Sequence, residues 1–366
     1  MNESEAMAVL VSAQSIGYGL REHALTAAGS ALNLLADPYA YENVLGSSGV
    51  AAVRGALQGA QRMLDRLWEE GVHLIVRSSG HYPARLAHTA RPPHVLFCMG
   101  HENLNDPVQI SIVGTRRVDG YGLRHTRRIA YELAEQGVCV VSGLALGVDA
   151  AAHRGAIDAQ GRTIAVLGGA LDKLYPAGNR PLMERILETG GSIVSEYPPG
   201  VAPTRYSFVQ RNRIVAGMSL GVLVTQAPHK SGAFSTAQYA LEEGREVFAL
   251  PGDIDRFGSQ LPNKLIAEGA KPVVGAKDIL DMLVVEPQKG RHEPQAKQIA
   301  MKAQAPQRML DVQEQKVYDQ LLAGDLDFDA LSERTGIEPD ALGSLLMMLE
   351  LDGIVVSLPG PAYRLA

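Results

Sequence analysis

The stretch VQISIVGTR, from Val108 to Arg116, joins an apolar run to a glycine, a hydroxyl side chain and an arginine. Five further strings follow it, in each of which a short apolar run leads into a glycine or a small polar residue: VCVVSG from Val138, TIAVLG from Thr163, SIVSEY from Ser192, GVLVTQA from Gly221 and EVFALPG from Glu246. Such runs, most of them followed by a helical segment, indicate an α/β fold with a mostly parallel sheet. Ligands of such sheets bind beyond the carboxyl ends of the strands, so informative residues are expected directly after each run.

The rest of the chain divides around this α/β domain, which is predicted at 106–285. Residues 1–78 show apolar spacing with a 3.6-residue period and are predicted to form a helical domain. Residues 79–105 are a connector that contains a short strand at HVLFCMG. Residues 286–308 are rich in Gln, Lys and Pro and predict a flexible linker. Three helices followed by a two-stranded ribbon at 309–366 predict a winged helix.

Charge is distributed unevenly along the 366 residues. The net charge is −6, but ten acidic and three basic residues lie between Val312 and Ala366, so this tail carries −7 and the remainder +1. The body is therefore free to present a basic groove. The predicted third helix of the tail, 338–351, holds three acidic residues and no Lys or Arg, which argues against a winged-helix transcription factor because this helix would repel phosphate.

Several classes of protein are excluded by motifs that the sequence lacks. The N-terminus has no basic segment followed by an apolar one, and no apolar run is long enough for a membrane span, so a cytoplasmic protein is expected. Cys98 and Cys139 lie far apart outside any CxxC pair, and Cys139 is expected to be buried. The histidines show no metal-ligand spacing, so neither a metal nor another cofactor is predicted.

The first two loops carry candidate polar groups. Gly114-Thr115-Arg116, placed between a strand and a helix, predicts an anion site in which backbone N–H groups and the arginine hold a phosphate. Ser142-Gly143 follows the second run, with Asp149 and His153 downstream. A hydrolase would need a nucleophile elbow of the GxSxG type, which is absent, so Asp149 and His153 are expected to form hydrogen bonds within the fold.

The later loops add glycines, cations and aromatic rings. Gly168 and Gly169 would let the backbone of a ligand approach closely. In SEYPPGVAPTRYSFVQRNRI, three arginines (Arg205, Arg211 and Arg213) occur with no acidic residue between them, and Tyr206 and Phe208 are interleaved. Cations that follow phosphates and a ring that stacks on a base are what a single-strand groove needs, although Phe208 would otherwise be core and Arg213 an ion-pair partner. Lys230-Ser231-Gly232 at a loop-to-helix junction forms another phosphate nest.

These motifs, taken in order, resemble the DNA-processing protein A family (DprA, also called Smf). The strings that carry the resemblance are densest from Gly114 to Ala270 and are GTR, SGLALGVDAAAH, TIAVLGGALDKLYPAGN, SEYPPG, RNRIVAG, SGAFSTAQYALEEGREVFALPG and NKLIAEGA. The resemblance implies a Rossmann-like core, an N-terminal sterile-alpha-motif-like (SAM-like) domain and a C-terminal winged-helix domain. It also implies a non-enzymatic protein that binds single-stranded DNA, brings the RecA recombinase onto it during natural transformation and forms a homodimer.

The loops and the resemblance together predict one DNA pocket, formed by Gly114, Thr115, Arg116, Ser142, Gly143, Gly168, Gly169, Arg205, Phe208, Arg211, Asn212, Lys230, Ser231 and Gly232. Three positions depart from the family pattern, since Leu146 and Ala177 replace basic residues and Gln226 replaces a glutamate. The loss at Ala177 predicts a weaker pocket. The segment around Leu261, Leu265 and Ile266 resembles the dimerisation region of the family, but such an apolar group is also typical of a core.

An enzyme remains the alternative. The segment SGAFSTAQYALEEGR is similar to the helix of nucleotide-monophosphate phosphoribohydrolases, whose PGGxGTxxE motif ends in a catalytic glutamate. If Ser235-Thr236 matches the Gly-Thr of that motif, Tyr239 takes the place of the glutamate. A tyrosine cannot serve as that acid or base, which favours DNA binding over catalysis.

Overall fold

The computed structural model describes residues 1–283, 311–321, 326–337, 341–343, 345–346, 349, 354–357 and 362–365. The chain separates into two compact units, Met1–Arg291 and His292–Ala366. The linker predicted at 286–308 lies outside the described residues.

Four helices open the first unit and confirm the predicted helical region: α1 (Glu3–Ser12), α2 (Tyr18–Ala28), α3 (Ala31–Ala36) and α4 (Glu42–Glu69). Asn2 and Glu5 form a capping box at the start of α1. The side chain of each accepts from the backbone N–H of the other, and these N–H groups have no partner within the helix. Gly46 has φ 69° within α4 and breaks its helical path. These helices pack around a core of their own that includes Leu10, Leu34 and Val53.

The predicted helical segment 1–78 is wrong over its last residues. His73–Val76 is strand β1, which pairs antiparallel with β2 (Val95–Gly100) of the predicted connector. β2 then pairs antiparallel with β6 (Ser192–Ser195), so both strands extend the main sheet. The reason is that Ile75 and Val76 are apolar and β-branched, and both are buried, Ile75 in one apolar cluster and Val76 in another that also includes Leu67 of α4.

All six apolar runs are strands of one sheet, as predicted. Besides β1, β2 and β6, its strands are β3 (Gln109–Val113), β4 (Cys139–Ser142), β5 (Thr163–Val166), β7 (Gly221–Val224), β8 (Glu246–Ala249) and β9 (Lys271–Pro272). These nine strands of the described chain lie in the order β1-β2-β6-β5-β4-β3-β7-β8-β9, and the pairs from β6 to β9 are parallel.

Both faces of the sheet are covered, as a parallel sheet requires. Val141 and Val222 belong to the apolar cluster on one face, and Val140 and Leu223 to that on the other. The covering helices are α5 (Ala84–Ala87), α6 (Gly120–Glu135), α7 (Val148–Asp158), α8 (Arg180–Glu188), α9 (Arg205–Met218), α10 (Gly232–Glu242), α11 (Gln260–Ala267) and α12 (Ala276–Met282). Cys139 is buried, as expected.

The region considered for dimerisation lies in α11 and belongs largely to the core. Leu261 is fully buried and Leu265 is 4% exposed, and both pack in the same apolar cluster as Val222. Ile266 is only partly buried against that cluster. The two leucines therefore stabilise the monomer fold, which was one of the two alternatives left open for this segment.

The second unit has the predicted winged-helix pattern. Its helices α13 (Val312–Leu321) and α14 (Phe328–Thr335) accompany strands β10 (Leu326–Asp327), β11 (Val355–Ser357) and β12 (Ala362–Leu365), which form a sheet in the order β10-β12-β11. The described residues between 341 and 349 are helical, where a third helix was predicted. In the described ranges of both units, no helix is long and apolar enough to cross a membrane.

The strand order creates one point at which the chain reverses direction across the sheet. From β3 the sheet runs through β4 and β5 to β6 on one side, whereas β7, β8 and β9 lie on the other. The loops after β3 and β7 therefore diverge and leave a crevice between them. In doubly wound sheets this switch point is where ligands bind.

Candidate nucleic-acid interface

A cleft of about 300 Å³ opens at this switch point. Its walls are the loops that follow β3, β4 and β7, together with one face of α9. The cleft brings together ten of the predicted pocket residues: Gly114, Thr115, Arg116, Gly143, Phe208, Arg211, Asn212, Lys230, Ser231 and Gly232. The convergence predicted for three loops is therefore present in the fold.

The loop after β3 is fixed by backbone hydrogen bonds. The Thr115 N–H donates to the carbonyl of Gln226 over 2.6 Å, and the Val148 N–H donates to the carbonyl of Thr115 over 3.1 Å. A Cβ at Gly114 would lie 2.5 Å from the carbonyl oxygen of Gln226, so only glycine permits this approach. Arg116 is thereby held at the rim of the cleft with its side chain exposed.

The predicted position of Arg116 at a helix entrance is wrong. Helix α6 begins four residues later at Gly120, and the Asp119 carboxylate caps it by accepting from the Gly122 N–H over 3.0 Å. That helix terminus is therefore already occupied by an anionic cap. Attraction for phosphate in this loop therefore comes from the guanidinium groups of two exposed arginines, Arg116, which lines the cleft, and Arg117 beside it.

The loop after β7 supplies the second exposed cation, Lys230. It precedes Ser231, whose hydroxyl accepts from the Ala233 N–H at the start of α10. Asn212 of α9 donates from Nδ2 to the Gly232 carbonyl over 3.2 Å and to Ser235 Oγ over 2.9 Å, which holds α9 against α10. An exposed lysine beside a helix N-terminus is an arrangement suited to phosphate.

Arg211 lies in the floor of the cleft and is only 4% exposed. Its Nη1 donates to the Gly143 carbonyl over 2.8 Å and also to the Val166 carbonyl. A Cβ at Gly143 would lie 2.5 Å from Arg211 Nη2, so the glycine makes room for this side chain. Burial lowers the pKa of Arg211, although Asp149 acts in the opposite direction. The guanidinium thus ties the ends of two neighbouring strands together.

Phe208 was grouped with the loop residues in the sequence analysis, but it lies in a helix. Thr204 and Ser207 form a capping box that starts α9 at Arg205, so the ring projects from the end of the first helical turn. The Arg116 Cζ lies 5.0 Å from the centroid of the half-buried Phe208 ring, in a cation–π contact, and the Tyr175 ring lies 5.6 Å away.

The structure places four predicted residues outside the cleft: Ser142, Gly168, Gly169 and Arg205. The interpretation that the glycines admit a ligand is wrong, because a Cβ at Gly168 would meet Phe208 Cδ1 at 2.6 Å and one at Gly169 would meet Pro203 at 2.8 Å. Ser142 is fully buried and donates from Oγ to the Ile112 carbonyl. Arg205 is exposed on the first turn of α9.

Sequence reasoning did not single out Tyr175 as a site residue. It is 53% exposed and lines a small recess of about 40 Å³ with Leu146, Arg116 and Phe208, next to the cleft. The available signal was an aromatic residue in the loop DKLYPAGN after β5, at the same end of the sheet as the other loops. Leu146, one of the positions at which the sequence departs from the family pattern, lines this recess, whereas Ala177 does not.

The structural roles expected for other polar residues are confirmed. His153 is fully buried, with Nδ1 2.7 Å from Thr163 Oγ1, and burial lowers its pKa to about 3. Asp149 accepts from the Ala145 N–H, and burial raises its pKa. Arg213 forms an ion pair with Glu196. Within the ranges that the structure describes, no His, Cys, Asp and Glu cluster could hold a metal ion.

Comparisons with known proteins agree with this architecture. The chain is 37% identical to Protein Smf of Escherichia coli over 300 residues, which cover 80% of this chain and 77% of the relative. It is 40% identical to the DNA processing protein DprA of Bacillus subtilis over 223 residues, covering 61% and 75% of the two chains.

Two solved structures extend the comparison. The X-ray structure of DNA processing protein A from Streptococcus pneumoniae has a TM-score of 0.66 at 31% identity and covers 76% of this chain and 97% of that one. The structure of DNA processing protein A from Helicobacter pylori, which concerns its single-stranded DNA binding mode, has a TM-score of 0.51 at 34% identity and covers 55% and 92%. Residues 301–361 match the DprA winged helix domain. Since residues 73–284 match the family model itself, this chain belongs to the DNA recombination-mediator protein A family.

Proposed function

We propose that this protein binds single-stranded DNA in the cleft at the switch point, largely without regard to base sequence. The observation that supports this most strongly is the convergence of Arg116, Lys230 and the Phe208 ring on one cleft of about 300 Å³. Two exposed cations provide phosphate contacts, and a ring provides a surface for a base. The single-stranded DNA binding mode described for the Helicobacter pylori relative supports the same assignment.

We assign each group a part in binding. Lys230 and the first turn of α10 face one phosphate, whereas Arg116 is placed for the next. Arg116 already lies over Phe208, so a base would stack on the layer formed by guanidinium and ring. We assign Arg211 a positioning role, because its buried guanidinium donates hydrogen bonds to the carbonyls of Gly143 and Val166.

Membership of a recombination-mediator family supports a finer proposal about partners. The protein would deliver single-stranded DNA to the RecA recombinase during natural transformation, as a homodimer in the cytoplasm. The free, buried thiols of Cys98 and Cys139 fit a reducing compartment. A dimer would lay one strand across two clefts and gain affinity by avidity.

We propose binding without catalysis because the side chains that could act as catalytic groups form hydrogen bonds or pack within the fold. The hydroxyl of Ser142 is buried and donates to Ile112, and His153 contacts Thr163. Tyr239, which takes the place of the phosphoribohydrolase glutamate, packs against the core. None of these groups is placed to transfer a proton to a ligand in the cleft.

Arg116→Ala and Lys230→Ala are each expected to weaken single-strand binding and to flatten its salt dependence. Each phosphate contact contributes about 0.7 to the slope of log affinity against log salt on a single strand, so each variant loses about that amount. Fluorescence anisotropy with oligo(dT) across a salt series measures both quantities. Arg62→Ala, at an exposed arginine of α4, is the matched control. An unchanged slope in both variants would show that the cleft does not bind the strand.

Removal of residues 308–366 is expected to leave single-strand binding nearly intact. The tail from Val312 carries a net charge of −7, and the cleft lies entirely within the first unit. The affinity of the shortened chain for oligo(dT) is the measurement, and duplex DNA is the comparison ligand. Strong duplex binding by the isolated tail would contradict this prediction.

A further inference from the structure

A second cavity, of about 290 Å³, lies on the other side of α9. It is walled by residues of α1 and α2, by the segment before β2, by the loop after β6 and by α9. We call it the α2–α9 cavity; the side chains that matter below are Tyr18, Arg21, Arg91, Glu196, Tyr206 and Arg213. Its volume is near the lower end of the range for small-ligand sites.

Helix α9 separates this cavity from the cleft. Residues spaced by three or four positions share one face of a helix, and Tyr206, Gln210 and Arg213 line the α2–α9 cavity. The opposite face, with Phe208, Asn212 and Val215, lines the cleft. The first turn of α9 is therefore the ridge between the two, and both Arg205 and Tyr206 are exposed there, Tyr206 to 70%.

The wall of the α2–α9 cavity carries more positive than negative charge. Arg21, Arg91 and Arg213 face a single carboxylate, Glu196, which pairs with Arg213. The nearby Glu22 adds a second negative charge that acts on Arg21, but it also pairs with Arg77, so an excess of positive charge remains when both are counted.

Three guanidinium nitrogens in this wall are buried without a hydrogen-bond partner among the described residues: Arg21 Nε, Arg213 Nε and Arg213 Nη1. Burial lowers the pKa of Arg21, which reflects the cost of holding its charge away from water. His94, whose pKa is lowered to about 3, is neutral and adds no charge. An anion in the cavity would offset the excess charge.

The remaining lining residues suit the other parts of a nucleotide. The Tyr206 ring stands exposed at the rim, and the Tyr18 ring carries the Arg91 guanidinium 5.3 Å from its centroid. The side-chain amides of Gln14 and Gln210 offer both donors and acceptors. In such a cavity the cations can bind the phosphate of a nucleotide, the rings can stack on the face of its base and the amides can form hydrogen bonds to the edge of the base.

We propose that a single strand bound in the cleft crosses the first turn of α9 and places a further nucleotide in the α2–α9 cavity. This inference rests on the proposed function and extends its binding site. The phosphate lies towards Arg91 and Arg21, and the base lies against Tyr206. Arg205, which is exposed at the crossing and outside the cleft, binds the phosphate between the two sites.

The test compares oligo(dT) of increasing length, from about four to about twelve nucleotides, within the range of single-strand site sizes. The variants are Arg91→Ala and Tyr206→Ala, both at exposed side chains, with Arg62→Ala as the control. Anisotropy should show that all chains bind the shortest oligonucleotides alike. On the longer ones both cavity variants should lose about tenfold in affinity, as for one stacked base or phosphate, whereas Arg62→Ala should not.

Three outcomes would overturn the inference, and they are distinguishable. If both cavity variants match Arg62→Ala at every length while Lys230→Ala weakens binding, the proposed function stands and the extension fails. If the wild-type chain binds no oligonucleotide, the proposed function itself fails and the extension with it. If dTMP binds the wild type but not Arg91→Ala, and the variant binds long oligonucleotides normally, the cavity holds a free nucleotide instead of the strand.

Discussion

Arg211→Ala is expected to lower the free energy of unfolding of the first unit by about 3–5 kcal/mol. The substitution removes a buried guanidinium from between the carbonyls of Gly143 and Val166, and neither acceptor gains another partner. It also takes away the cation that acts on the buried carboxyl of Asp149, whose pKa burial already raises. Urea unfolding of residues 1–291, which form one compact unit, measures the loss.

Two variants frame this result. Arg211→Lys keeps the charge but has no planar fork to reach both carbonyls, so an intermediate loss of stability is expected. Arg213 lies two residues after Arg211 on α9 and forms an ion pair with Glu196. Arg213→Ala therefore tests whether the loss of any arginine of α9 lowers the free energy of unfolding by the same amount. If Arg211→Ala is as stable as the wild type but binds DNA much more weakly, Arg211 contacts the strand directly and the positioning role is wrong.

The sheet could be predicted from the sequence because parallel strands buried on both faces appear as continuous apolar runs. Six such runs became β3 to β8 with little change in their bounds. β1 was missed because HLIV directly follows a helix-forming stretch, and its partner β2 lies about twenty residues further along. Local pattern carries no information about that pairing.

The candidate site was predicted in its location but less well in its details. The identity of a glycine does not say whether a ligand or a neighbouring side chain occupies the space beside it, and at Gly168 the neighbour is Phe208, forty residues away. Likewise, Arg205, Arg211 and Arg213 look alike in the sequence. Their exposure differs because they project in different directions from α9, whose start at the Thr204 cap had been taken for loop.

Phe208→Ala is expected to weaken single-strand binding by about ten- to a hundredfold, the cost of losing about 1–3 kcal/mol of base stacking. The ring supports Arg116, whose guanidinium lies 5.0 Å from its centroid, so its loss removes both the face and the position of a cation. Because the ring also packs against Gly168, the alanine variant will be less stable as well. Binding and stability must therefore be measured on the same samples.

Phe208→Leu separates the two effects, because leucine fills most of the space beside Gly168 but offers no aromatic face. We expect this variant to keep a melting temperature close to that of the wild type and to share the binding defect of Phe208→Ala. Arg116→Ala in the same series shows how much of the binding defect comes from displacing the Arg116 cation. Loss of a phosphate contact changes the slope of log affinity against log salt, whereas loss of base stacking does not. Wild-type affinity in Phe208→Leu, together with a large stability loss in Phe208→Ala, would make Phe208 a packing residue. The single strand would then be held in the cleft by its phosphates alone.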